Sequence, residues 1–152
     1  MDEISLYVRL VNICQPLSIL QWQLTSDYSP LSGGGLFGNT APLAPTQRFW
    51  NMKQLAATPK GLSAMPLTCD RPNIVYAALG NNSKESYAIH LVNNGARREA
   101  VLKGIPKKVK TLRLFVTDKD RGMKEGDPVV VTNGEAHFIL DAYSYMELLG
   151  SK

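Results

Sequence analysis

The chain has 152 residues, of which 44% are apolar and 20% are charged, and its net charge is +4. This composition excludes a disordered chain, and the mild, scattered positive charge does not favour nucleic-acid binding. No apolar run approaches the roughly eighteen residues of a membrane span, and the first residues lack the pattern of a signal peptide. We therefore expect a soluble chain without a nucleic-acid or membrane partner. Its two cysteines, Cys14 and Cys69, are expected to be buried free thiols.

Apolar residues recur at helical spacing near the start of the chain, which predicts an amphipathic helix from Glu3 to Cys14. Pro16 ends this helix. Alternating apolar residues then predict a strand over Leu17–Leu24. A loop rich in Gly and Pro, at 29–45, leads to Thr46, whose hydroxyl can cap a second helix. A helix, a strand and a helix in this order predict a short α/β segment.

Residues 60–152 form short segments rich in Val, Ile, Leu, Tyr and Thr, separated by turn residues. This pattern predicts an antiparallel two-sheet β-sandwich, preceded by the α/β segment at 1–59, so the fold class is mainly β. Asn94-Gly95 and Asn133-Gly134 accept positive φ and predict two tight hairpins. The predicted strands are Leu62–Thr68, Asn73–Leu79, Ser86–Val92, Arg97–Lys103, Val109–Thr117, Pro128–Val131, Ala136–Leu140 and Ser144–Leu149.

Few polar residues have the spacing of a catalytic or metal site. The acidic residues of the loop at 118–127 alternate with basic ones, which is typical of a solvated hairpin tip. Gly122 and Met123 stand where a calcium loop needs a ligand and a glycine. His90 and His137 lie within predicted strands, without a zinc-binding partner at ligand spacing. We predict no catalytic residue, no metal and no cofactor in this chain.

The aromatic residues are more informative, because sugars stack their C–H faces on exposed rings. Trp22 near the end of the predicted strand, Tyr28 just before the Gly-rich loop and Phe37 within it are the candidates for contact with a sugar. Trp50 lies on the second predicted helix, where packing in the core is the expected role.

Several segments follow one another in an order that resembles a known family. They are the run Ser-Ile-Leu-Gln-Trp-Gln at 18–23, the Gly-rich loop, Pro-Thr-Gln-Arg-Phe-Trp at 45–50, Gln54, and Pro59 with Gly61 before the β half. This order resembles the C-terminal portion of a retaining glycoside hydrolase of family 30, the glucosylceramidase and endo-xylanase-like group. The resemblance implies that the α/β segment is the end of a (β/α)₈ barrel and that the sandwich is its side domain.

The resemblance also implies residue roles. Trp22 would be the aromatic residue of the eighth barrel strand, and Arg48, Phe49 and Gln54 would anchor the sandwich to the barrel. The two catalytic glutamates of the family lie on earlier barrel strands, so this chain alone would not be an enzyme. An intact relative would be an exported, retaining hydrolase of β-linked glycans.

Three functions fit these expectations. The first is a non-catalytic C-terminal accessory region of a glycoside hydrolase-like protein. The alternatives are a stand-alone carbohydrate-binding module and a structural or interaction sandwich. The expected partners are a glycan and either a second copy of the chain, through Ile4–Leu24, or a barrel portion encoded elsewhere.

Overall fold

The computed structural model describes residues 1–20, 30–35, 38–83 and 85–151, and it is mainly β. In this part of the chain two helices precede or flank an extended antiparallel sheet system. The elements are α1 (Asp2–Ile13), β1 (Leu31–Ser32), β2 (Ala44–Pro45), α2 (Gln47–Ala56), β3 (Ser63–Met65), β4 (Ile74–Asn81), β5 (Ser86–Asn93), β6 (Arg98–Lys103), β7 (Thr111–Thr117), β8 (Lys124–Glu125), β9 (Val129–Thr132), β10 (Glu135–Leu140) and β11 (Ser144–Ser151).

The strands from β3 onward pair in the order β3-β4-β5-β11-β7-β9-β10-β6, with β8 added beside β7. β9 belongs to both layers of this curled sheet. Its first residues, Val129 and Val130, pair with β7, whereas Val131 and Thr132 pair with β10. The sheet therefore folds over itself at β9, and the expected mainly β, antiparallel fold is confirmed.

Apolar side chains from both layers fill the interior. Leu112 on β7, Leu140 on β10 and Leu148 on β11 are at most 2% exposed and belong to one cluster. The alternation predicted for β5 is present, because Ile89 and Leu91 point into this cluster and Val92 belongs to a second one. The central strands are thus buried on both faces.

The second cluster lies between α1 and the outer face of the sheet. Ile4 and Val8 on α1 are buried against Val75, Val92 and Tyr145. Burying two such side chains stabilises the packed state by roughly 1.5–3 kcal/mol each. The sheet therefore covers part of the apolar surface at Ile4–Leu24 that was expected to mediate self-association. Self-association itself stays a prediction.

Thr46 caps α2 as predicted. Its Oγ1 accepts a hydrogen bond from the backbone N–H of Phe49 at 3.4 Å. Trp50 then projects from α2 onto the loop after β7, where its ring lies against the backbone of Gly122. A Cβ at Gly122 would lie 2.4 Å from the indole, so this contact requires glycine. Trp50 is half-buried in this packing role.

The prediction of a hairpin at Asn94-Gly95 is wrong. β5 pairs with β4 and β11, and β6 pairs with β10, so the connection crosses between the two layers. The side chain of Asn93 holds the crossover, because its Oδ1 accepts from the N–H of Gly95 at 3.0 Å and its Nδ2 donates to the carbonyls of Ala96 and Asp141. These tertiary bonds replace a tight turn.

The hairpin at Asn133-Gly134 is present between β9 and β10, with φ of 53° and 81°. Both positive angles match the turn that the sequence predicted.

Other expectations differ from the structure or lie outside it. Of the strand predicted at Leu17–Leu24, residues 17–20 have no regular structure and the rest lies outside the described residues. Cys14 and Cys69 are free but exposed, because the first follows the last turn of α1 and the second lies in the connection before β4. The division of the chain near residue 59 stays a prediction.

Replacing Gly122 by Ala is expected to lower the free energy of unfolding by about 1–3 kcal/mol, because the new methyl group displaces the indole of Trp50. Urea unfolding measures the loss. In a Trp50→Ala background the same change is expected to cost much less, and an equal cost in both backgrounds would contradict the contact.

Candidate functional site

Four polar residues meet beneath α2 on the outer face of the sheet. We call Thr58, His90, Tyr145 and Glu147 the polar joint. His90 on β5 lies directly opposite Glu147 on β11 in the strand register. His90, Tyr145 and Glu147 are fully buried, and Thr58 reaches them from the residues that follow α2.

The hydrogen bonds of the polar joint form a chain. The Tyr145 hydroxyl and His90 Nδ1 lie 2.8 Å apart, and His90 Nε2 lies 3.3 Å from Thr58 Oγ1. The Thr58 hydroxyl donates its one proton to the carbonyl of Leu55 at 2.6 Å. Its oxygen is then an acceptor, so His90 carries its proton on Nε2 and receives the Tyr145 proton on Nδ1.

Burial sets the charges of the polar joint. It raises the pKa of Glu147 to about 8 and lowers the pKa of His90 to about 4, because both groups are removed from water. Both are therefore neutral at neutral pH. A protonated Glu147 can donate from Oε1 to Thr58 Oγ1, which lies 3.3 Å away. Glu147 Oε2 has no hydrogen-bond partner in the part of the chain that the structure describes.

Gln54 adds a second link between α2 and the sheet. Its Nε2 donates to the carbonyls of Phe115 and Tyr145, each at 3.3 Å, and its Oε1 accepts from the Thr117 hydroxyl at 2.8 Å. Gln54 is fully buried. The amide thus connects α2 to both β7 and β11.

The other two anchor candidates make contacts within the helical segment. Arg48 donates to both carboxylate oxygens of Glu3 at 2.7 Å, which links α2 to α1 and lowers the pKa of Glu3. The ring of Phe49 meets Trp50 edge to face at 5.2 Å. Gln54 is therefore the anchor candidate whose side chain bonds directly to the sandwich.

An open depression of about 760 Å³ lies on the opposite side of β11. It forms where β9 passes from β7 to β10, so that β7 and β10 diverge. We call it the sheet cleft. Its apolar lining is Leu114, Val116, Pro128, Val129, Val130, Phe138, Ile139 and Met146, and its charged or polar lining is Arg97, Arg121, Lys124, Glu125, Asp127, Thr132, Glu135, His137 and Asp141.

An ion-pair cluster closes one end of the sheet cleft. Arg121 binds Asp118 and, at 2.7 Å, Asp141, while Arg97 lies 3.4 Å from the same Asp141. Partial burial opposes ionisation of Asp118, but the hydrogen bonds from Arg121 and from backbone N–H groups outweigh it and lower its pKa. Asp118, Asp120 and Glu125 of this loop are thus engaged with neighbouring basic groups, whereas Asp127 is not engaged with any described residue.

The three candidates for sugar contact, Trp22, Tyr28 and Phe37, lie outside the described residues. Among the described residues, no three acidic, histidine or cysteine side chains are grouped so that they could hold a metal ion. No helix in the same part of the chain is long and apolar enough to cross a membrane.

Sequence reasoning missed the polar joint. A signal was present in Glu147, which interrupts the apolar run Tyr145-Met146-Glu147-Leu148-Leu149 within a strand. A carboxylate at such a position needs a buried partner or a proton.

Solved structures of glycoside hydrolases share this fold. A glycoside hydrolase family 30 subfamily 8 xylanase from Clostridium acetobutylicum is 14% identical, with a TM-score of 0.76 over 99% of this chain and 39% of its own. A family 30 endoxylanase from Clostridium papyrosolvens is 21% identical, with a TM-score of 0.63 over 76% of this chain and 29% of its own. A conserved exported protein from Bacteroides fragilis is 9% identical, with a TM-score of 0.78 over 97% of this chain and 32% of its own.

The chain therefore spans less than two fifths of the length of these three structures. At such identities the likeness shows the fold, and the resemblance to the C-terminal portion of a family 30 enzyme is confirmed at that level. Comparison with protein-family models and with curated proteins gives no match.

Glu147→Gln is expected to change how stability depends on pH. The raised pKa of Glu147 gives a contribution that is complete below pH 4.5 and is lost as the pH rises through about 8. The lowered pKa of His90 gives a contribution that is complete above 6.5 and is lost as the pH falls through about 4. Between pH 4.5 and 6.5 the contributions of Glu147 and His90 change in opposite directions as the pH rises. Between pH 6.5 and about 8 only the contribution of Glu147 changes, so the free energy of unfolding falls.

This fall is on the order of 2 kcal/mol, and it should be absent in Glu147→Gln. Denaturant unfolding at several pH values measures it. The matched control is Glu99→Gln, which makes the same chemical change at an exposed position of β6 and should leave the slope unchanged. An equal slope in the parent chain and in Glu147→Gln would show that Glu147 is ionised in the folded state.

Gln54→Leu is expected to destabilise the chain by about 2–4 kcal/mol, because it leaves the Thr117 hydroxyl and two buried carbonyls without the amide. The matched control is Gln47→Leu on the exposed side of α2, with a change of about 0.5 kcal/mol or less. Equal effects at the two positions in urea unfolding would contradict the anchoring role.

Proposed function

We propose that this chain is a non-catalytic C-terminal accessory region of a glycoside hydrolase-like protein that acts on β-linked glycans. The observation that carries the proposal is the shared fold, which extends over the helices and the strands together. The structures with this fold include two xylanases of glycoside hydrolase family 30. In this proposal residues 1–59 connect to a barrel and residues 60–152 form the side sandwich.

The state of four carboxylates, those of Glu3, Asp118, Asp141 and Glu147, supports a non-catalytic role. A glycosidase needs two carboxyl groups about 5–10 Å apart that both reach the sugar. Glu147 is fully buried in the polar joint, and Asp118 and Asp141 are both bound by Arg121. Glu3 is likewise held by Arg48. These groups maintain the fold, and their arrangement is not that of an acid and a nucleophile facing a substrate.

The contacts of α2 support an accessory role. An accessory domain must hold its neighbour at a fixed angle, and directional hydrogen bonds do this better than apolar contacts alone. Gln54 and Thr58 bond to three different strands of the sheet through Phe115, Tyr145 and His90. We propose that Gln54 anchors the helical segment on the sandwich directly, whereas Arg48 and Phe49 contribute through the contacts that hold α2 to Glu3 and to Trp50.

A stand-alone carbohydrate-binding module is the second candidate function, and the sheet cleft favours it. The cleft has the size of a typical ligand site, which is roughly 300–1,000 Å³, and it is open. Trp22, Tyr28 and Phe37 remain the proposed aromatic contacts of the segment before α2.

The test is incubation of the purified chain with aryl β-xylosides, aryl β-glucosides and β-linked xylo-oligosaccharides. No product above the buffer blank is expected, whereas a family 30 xylanase under the same conditions provides the positive control. Hydrolysis that elutes with the chain in size exclusion and disappears on replacing one of its carboxylates would contradict the non-catalytic role.

A further inference from the structure

The sheet cleft combines an apolar floor with a polar rim. Strand β9 creates this arrangement by passing from β7 to β10 between Val130 and Val131, which opens the space between β7 and β10. Phe138, half-buried on β10, and Leu114, half-buried on β7, contribute apolar surface from the two sides. A floor of this kind suits a ligand with an apolar face.

The rim contains both donors and acceptors. Lys124 and Asp127 are exposed, and their side chains make no hydrogen bond or ion pair with the described residues. Arg97 contributes a guanidinium that is 64% exposed even though it lies near Asp141. His137 on the opposite strand is also exposed. The rim therefore combines two groups that are unpaired among the described residues, Lys124 and Asp127, with Arg97 and His137, which are exposed but lie near Asp141 and Glu135.

The charges of the lining select against a strongly charged ligand. Arg97, Arg121 and Lys124 are positive, whereas Glu125, Asp127, Glu135 and Asp141 are negative. A polyanion would meet the carboxylates and a polycation would meet the guanidinium groups, and like charges at an interface cost affinity. A neutral ligand with many hydroxyls can accept from the cations and donate to the carboxylates at the same time.

We propose that the sheet cleft binds a neutral β-linked oligosaccharide, with Lys124 and Asp127 as hydroxyl ligands and Phe138 with Leu114 as the apolar floor. A pyranose has C–H faces for such a floor and equatorial hydroxyls for such a rim. The choice of a glycan among neutral polyhydroxylated ligands rests on the proposed function. The site is distinct from the polar joint, because it lies on the other side of β11, where the buried Met146 lines it.

The experiment follows backbone amide shifts of the full chain during titration with xylohexaose and, separately, cellohexaose. The titration extends to about 10 mM, ten times the Kd of a millimolar binder. Shift changes are expected at residues of the cleft, among them Gly126, Thr132 and Phe138. No change with either sugar, or changes confined to residues outside the cleft, would overturn the proposal.

The variants Lys124→Ala and Asp127→Ala are each expected to weaken binding by roughly tenfold, as for loss of a hydrogen bond to a charged group. Lys107→Ala and Asp70→Ala are the matched controls, because both residues are exposed and lie outside the cleft. They should change Kd less than about twofold. An unchanged thermal midpoint shows that each variant is folded, and equal weakening by the controls would overturn the assignment.

Polygalacturonate provides the test of charge. Stronger binding of this anionic polymer than of the neutral sugars would overturn the neutral ligand class. Failure to bind any glycan leaves the accessory role in place, since that role is tested by turnover and by the stability of Gln54→Leu. Hydrolysis by the chain would contradict the accessory role without affecting the cleft.

Discussion

The burial of the central strands on both faces determines the rest of the structure. β5 and β11 carry apolar residues toward the interior, but their outer residues are also removed from water by α1 and α2. A strand in this position cannot send its polar side chains to solvent. His90 and Glu147 therefore need hydrogen-bond partners within the protein. Thr58, which follows the end of α2, is such a partner for both. The helices and the sheet depend on each other for this reason.

The neutral state of the polar joint follows from the same burial. An ionised His90–Glu147 pair would have its charges 3.9 Å apart without water, and the cost of desolvating two charges often exceeds their attraction. A chain of hydrogen bonds between neutral groups avoids that desolvation cost, and its bonds still require a specific geometry. Gln54 acts in the same way with an uncharged amide. These bonds specify one position of α2 on the sheet, whereas apolar contacts alone tolerate sliding.

The order of residues within a short segment was sufficient to predict the helices, the helix cap and one of the turns. The helical spacing of Ile4 and Val8, the cap at Thr46 and the turn at Asn133-Gly134 all predicted features that the structure contains. Contacts between residues that are far apart in the sequence could not be predicted from such local patterns. The crossover at Asn93 depends on the carbonyl of Asp141, which no local rule brings beside it.

The candidate site was harder to predict than the fold for a related reason. Glu147 signals only that it needs a partner or a proton, the other members of the polar joint look ordinary in their own segments, and the joint exists only because β5 pairs with β11 under α2. The sheet cleft likewise depends on where β9 changes partner, which the run at 129–132 does not show. The short strand β8 and the β1–β2 ladder were missed because two-residue strands have no detectable period.

The alternation of β11 places the polar joint and the sheet cleft on opposite faces of one strand. Tyr145 and Glu147 point toward the helices, whereas Met146 between them lines the cleft, because successive side chains of a strand face opposite ways. The face that holds α2 is closed by directional hydrogen bonds between buried groups, so it resists change. Met146 is itself buried, and the cleft that it helps to line has a rim of exposed charged groups. A ligand can therefore enter the cleft without disturbing the contacts that fix the helical segment. One strand thus lies between a rigid connection on one side and the buried end of an accessible cleft on the other.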